Sequence, residues 1–179
     1  MVALLRPLFE LCLLRRGPQD LPYSPPAVAL FAFALMALQV AMGAATEAPP
    51  GQLAARVGVT AFMLFGVTQA LLNLRGLRNR AAQTLLALAG SGLLFTLAML
   101  PAALALRPYL DVEQPPASAM LPGLAALVLF VWKLRVEASI WRQALEIRRG
   151  QALALAIALV LLELMLLVWL APPVPAAAA

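Results

Sequence analysis

The sequence predicts an all-α polytopic membrane helical bundle: five transmembrane helices plus an N-terminal interfacial helix. Three observations carry that expectation. Apolar residues make up 64% of the 179-residue chain and charged residues only 12%, against roughly half and a quarter in globular chains. Mean hydropathy is +0.92, more apolar surface than one soluble domain of this length can hide. The apolar residues also gather into five runs, each near the ~20 residues that a spanning helix needs. The net charge of +5 would suggest nucleic acid in a soluble chain. Here the basic residues lie between and beside apolar runs, so the expected partner is the lipid bilayer and not nucleic acid.

Residues 1–25 read as a cytoplasmic interfacial helix followed by a Pro-rich segment that returns to the bilayer. In Val2 to Arg16, Arg6 and Glu10 stand four apart on a narrow polar stripe, while Leu4, Leu5, Leu8 and Leu11 cover most of the rest. Too short and too charged to span, such a helix lies on the leaflet surface. Gly17-Pro18 stops it, and the prolines of 19–26 favour an extended path. The transmembrane domain, 26–171, then follows. Span one is 26–45, with Ser24 as N-cap and Pro25 in the first turn. The 25 residues before it exceed the n-region of a signal peptide, so no cleavage is expected.

Span two is 57–74, closed by Arg75-Gly76. Span three is 84–106, with Pro101 expected to kink it near its end. The fourth, 119–135, is the shortest, and Lys133 and Arg135 are expected to snorkel to the interface to lengthen it. The fifth, 151–171, is the most hydrophobic and stops at Pro172-Pro173, leaving 172–179 as an extracytoplasmic Pro/Ala tail. Span four is expected to continue as a cytoplasmic helical extension over 133–149, projecting roughly 25 Å at 1.5 Å per residue or bending along the membrane surface. Lys133 with Glu137, and Arg142 with Glu146, are i,i+4 pairs along it.

Lys and Arg number three before span one, then one, three, one and five in successive connections, and none after span five. That alternation sums to eleven against two by side. The positive-inside rule therefore puts the N-terminus in the cytoplasm and the C-terminus outside. Removing the fourth span would place its five basic residues on the wrong side. With 15 prolines, 12 of its 13 basic residues Arg, and abundant Ala and Leu, the composition fits a GC-rich bacterial genome. The expected location is thus a bacterial inner (cytoplasmic) membrane.

Glu163 is the one ionisable residue well inside a predicted span. A charge at mid-bilayer costs about 2.5–3.5 kcal/mol on insertion scales, and such residues face the bundle or a wet cavity. Ala152 and Ala156 share its helical face, which suits close packing and directs that face inward. By depth along the spans, Gln39 and Thr96 fall within a few ångströms of Glu163's level, at about 1.5 Å per residue. An intramembrane polar cluster of Glu163, Gln39 and Thr96 is therefore expected, joined by interhelical hydrogen bonds or serving proton or ion handling. Thr60, Thr68, Gln69 and Asn73 put a polar stripe on span two, and Gly90-Ser91-Gly92 a small-residue patch on span three. Leu134, Ala138, Trp141 and Leu145 line one face of the 133–149 extension, a candidate partner-docking face. Arg75, Arg78 and Arg80 are candidate contacts for anionic lipid head groups.

With no His and one Cys, the usual metal ligands and catalytic bases are missing. Neither a Gly-rich phosphate loop nor a Ser/His pair occurs. No catalytic residue, metal or cofactor is expected. The five-span count with a cytoplasmic N-terminus resembles the Yip family of membrane proteins. The segment Gly17 to Ser24, GPQDLPYS, resembles that preceding the first span of small proteobacterial inner-membrane proteins. The resemblance implies a topology and carries over no functional residues. The expected role is a non-catalytic accessory or scaffold subunit of an envelope or secretion assembly, bound to other membrane proteins or to copies of itself. The alternative is a small transporter or channel component using Glu163. A wet polar cavity around Glu163 favours the second, a dry core with free partner surfaces the first.

Overall fold

The computed structural model describes residues 2–45, 48–109, 112 and 116–171. Among them every regular element is helical: α1 (Val2–Cys12), α2 (Pro25–Ala45), α3 (Pro50–Leu74), α4 (Ala81–Leu106), α5 (Met120–Ala144) and α6 (Arg149–Leu170). Five of the six, α2 to α6, are long and apolar enough to cross a membrane. The predicted tail, 172–179, lies outside the described residues.

The boundaries follow from local chemistry. Ser24 caps α2 as expected, its Oγ accepting the Ala27 amide at 3.4 Å. Span two starts earlier than predicted, because Pro50 fits the first turn of α3 after Pro49, and Arg56 is absorbed into the helix. Its middle, Phe62–Val67, is one wide π-helical segment, and the Thr68 hydroxyl donates to the Met63 carbonyl, five residues back, at 3.3 Å. Pro101 is accommodated within α4, which runs on to Leu106. The fourth span and its expected extension form one helix ending at Ala144.

The helices close a ring. α4 packs between α2 and α5, α5 against α6, α6 against α3, and α3 against α2. Outward-facing residues such as Leu121, Leu124 and Leu127 on α5, and Leu161, Leu164, Met165 and Trp169 on α6, are exposed. Water would make that wall a liability; a bilayer makes it the expected solvent-facing surface.

Two sequence expectations are corrected by this packing. The N-terminal helix does not lie free on a leaflet: Leu8 and Leu11 are fully buried in a cluster with Leu86, Ala87, Val136 and Ile140. Leu8 fits over Gly90, where a Cβ would come within 2.5 Å of its methyl carbon. The Trp132 indole N–H donates to the Cys12 carbonyl at 2.8 Å, fixing the end of α1 to α5. Leu5 and Phe9 remain exposed on its other side. Nor does the 133–149 segment project from the bundle. Trp141, Ala144 and Leu145 are buried against Leu72 and Ala156, with Leu134 and Ala138 packed alongside. The candidate docking face is therefore covered by the chain's own α3 and α6, because the apolar stripe of α5 continues unbroken past the point where the sequence suggested a membrane boundary.

Candidate functional site

Each spanning helix gives one narrow stripe to a common cavity. α2 contributes Leu35 and Gln39; α3 contributes Thr60, Met63, Leu64 and Thr68; α4 contributes Leu88, Gly92 and Thr96. Lys133, Glu137 and Trp141 come from α5, and Leu159, Val160 and Glu163 from α6. The spacings are four, or three and four, as one face of a helix requires. The cavity measures about 140 Å³, room for on the order of five to ten waters.

Glu163, Gln39 and Thr96 are thus brought together as walls of one cavity. The hydrogen bonds among them are not formed. Gln39 Nε2 donates to Thr60 Oγ1 at 3.1 Å, and Thr96 Oγ1 donates to the Gly92 carbonyl of its own helix at 2.8 Å. Gln39 Oε1 is buried and without a partner among the described residues. Ala152 and Ala156 are buried, so the face carrying Glu163 looks inward as expected.

Two charged members were not anticipated. Lys133 does not snorkel to the interface: its Nζ pairs with Glu137 Oε1 at 2.6 Å on the cavity wall, and both lie in electrostatic reach of Glu163. In the sequence Lys133, Glu137 and Trp141 stand at i, i+4 and i+8 on one helical face, a spacing that puts them together without saying whether that face turns inward. Depth agrees. α5 and α6 are joined by the short turn 145–148, and Lys133 and Glu163 stand eleven and fourteen residues from it along their helices, about 16 and 21 Å at 1.5 Å per residue.

Of the polar stripe on span two, Thr60 and Thr68 face the cavity, Gln69 is exposed, and Asn73 leaves its Oδ1 buried without a partner among the described residues. The π-helical segment shapes this wall through Met63 and Leu64; such wide turns occur often at functional sites. The Gly90–Gly92 patch serves close approach: Gly90 receives Leu8, and Gly92 receives Leu35.

The three arginines between α3 and α4 divide. Arg75 and Arg78 are exposed. Arg80 is not free for a lipid: its Nη1 donates to the Gln143 carbonyl at 3.0 Å, and its Nη2 pairs with Glu146. That contact closes one end of the bundle, where Gln83 Nε2 also donates to the Leu21 carbonyl at 2.7 Å. The Asp20 carboxylate accepts the Gly17 amide at 2.8 Å there, so GPQD forms a closed turn. No group of His, Cys, Asp and Glu fit to hold a metal occurs among the described residues. No family model, curated protein or solved structure matches this chain.

Proposed function

We propose that the protein is a non-catalytic transporter or channel component of a bacterial cytoplasmic membrane, moving a small polar or charged solute through the cavity around Glu163. The observation that carries this reading is the convergence of Lys133, Glu137, Glu163 and Gln39 on one cavity walled by all five spans. Ionisable residues at membrane depth are costly to insert, and they mark solute or ion pathways. A purely structural core would be cheaper with Leu at these positions. In this reading the N-terminus is cytoplasmic, the C-terminus is outside, and the exposed outer walls face lipid, with Arg75 and Arg78 at the head groups. A Yip-like five-span topology is compatible with it and assigns no solute. The accessory-subunit reading has lost its docking face to intramolecular packing, and no other observation favours it.

Water access tests the proposal. In a Cys12→Ser background, Thr96→Cys and Thr60→Cys should react in intact membranes with a charged, membrane-impermeant thiol reagent. Leu161→Cys, on the lipid-facing wall, should not. Cavity positions that react only after detergent denaturation would mean a dry core, and the transport reading would fail.

A further inference from the structure

We infer that the central cavity binds a small solute carrying a primary ammonium group; the inference rests on the transport reading and names its solute class. The cavity already displays how it holds such a group. Lys133 brings an ammonium into it and pairs it with the Glu137 carboxylate at 2.6 Å. A second set of acceptors lines the same cavity. Glu163 makes no hydrogen bond among the described residues, and Gln39 Oε1 is buried without a donor. Thr96 spends its own proton on the Gly92 carbonyl, leaving its oxygen as an acceptor. Thr68 does the same with the Met63 carbonyl.

Charge and hydrogen-bond capacity agree. One ammonium faces two carboxylates on the wall, so one negative charge is left over when all three ionise. A single monocation neutralises it, whereas an anion would meet two carboxylates. The groups of this second set are oxygen acceptors, and a primary ammonium offers three N–H donors to match them. A quaternary ammonium offers none, and a bare alkali ion offers no directional donors. The volume of about 140 Å³ suits methylammonium or a solute a few heavy atoms larger, since one water takes about 30 Å³ in the liquid.

Binding to the full-length protein in lipid nanodiscs, read as a thermal shift and by calorimetry, tests this with methylammonium, tetramethylammonium, sodium and acetate. Methylammonium should stabilise the protein, and the other three should do so at least about tenfold more weakly. Glu163→Gln should weaken methylammonium binding by roughly tenfold, the equivalent of 1.4 kcal/mol. Lys133→Gln should tighten it by removing the competing ammonium. Because Lys133→Gln strands Glu137 and risks misfolding, the double change Lys133→Gln with Glu137→Gln is the companion variant. It keeps one negative charge and should still bind methylammonium. Acetate binding that the double change abolishes would overturn the inference. So would equal binding of sodium and methylammonium, or no binding of either. Methylammonium flux in proteoliposomes separates the two levels. Binding without flux overturns the transport reading and keeps the site; flux that Glu163→Gln leaves intact overturns the site and keeps transport.

Discussion

Leu14, Gly76 and Glu146 do the same job with different side chains. Each sits just past a helix end with positive φ, at 60°, 70° and 54° respectively. Each is followed by an amide that reaches five residues back: Arg15 to Glu10, Leu77 to Leu72, and Ile147 to Arg142. This is the closure that glycine favours, and only position 76 has one. At Glu146 the Arg80 ion pair compensates. At Leu14 a left-handed residue is held in place by the burial of α1 and costs about 1–2 kcal/mol. Leu14→Gly should therefore raise the unfolding midpoint in detergent by about 2–4 °C, the shift that about 1 kcal/mol gives in a chain of this size. An unchanged or lower midpoint would mean that the apolar contact of this half-exposed Leu outweighs the strain. Single residues were also where the sequence was least legible. Glu163 stood out because no charge neighboured it, but Lys133 and Glu137 could be read as an ordinary solvated i,i+4 pair. Only the burial of Trp141 shows that their stripe turns inward.

At the scale of elements, helices were legible and their partners were not. Run length and Pro/Gly punctuation found the five long apolar helices, although the second begins seven residues before the expected 57 and the fourth runs nine past the expected 135. Periodicity alone cannot say whether an apolar stripe meets lipid or protein. The stripe Leu4, Leu8 and Leu11 suited a leaflet as well as a groove, and the complement of Leu8 is a glycine some eighty residues away. Gly90→Val tests that fit through Cys12, the thiol at the end of α1. Burial pushes this thiol up to about 11 from 9.0. Below pH 9 the thiol is neutral folded or unfolded, so the group then favours neither state; between pH 9 and 11 it destabilises the fold. At pH 8 native Cys12 should accordingly resist alkylation. Gly90→Val should displace Leu8 and α1 and speed alkylation by tenfold or more, while the spans stay inserted. Equal rates in the two proteins would mean that α1 is not held by the Leu8–Gly90 contact.

At the scale of the whole molecule, contacts show which segments share one end of the bundle, and the proposed orientation follows from charge alone. Contacts gather the Gly17–Leu21 turn, the turn after α3 and the turn after α5 at one end of the bundle. Arg80 reaches Gln143 and Glu146 there, and Gln83 reaches Leu21. Those turns hold Arg75, Arg78, Arg80 and Arg148, and more basic residues stand in the helices beside them. Eleven of the thirteen fall to that side by sequence, and discounting Lys133, Arg135 and Arg142, which lie within α5, leaves eight against two. The asymmetry thus survives the loss of the lysine that turned out to face the cavity. Only short loops are counted, the regime in which positive charge sets orientation. Reporter fusions after Ala179 and in the loop 107–118 should therefore read extracytoplasmic, and those near Arg78 and Glu146 cytoplasmic. A cytoplasmic C-terminus would remove one crossing. α5 would be the first to be given up, and with it the wall that brings Lys133 and Glu137 to Glu163. The same result would then overturn both the five-span topology and the cavity that rests on it.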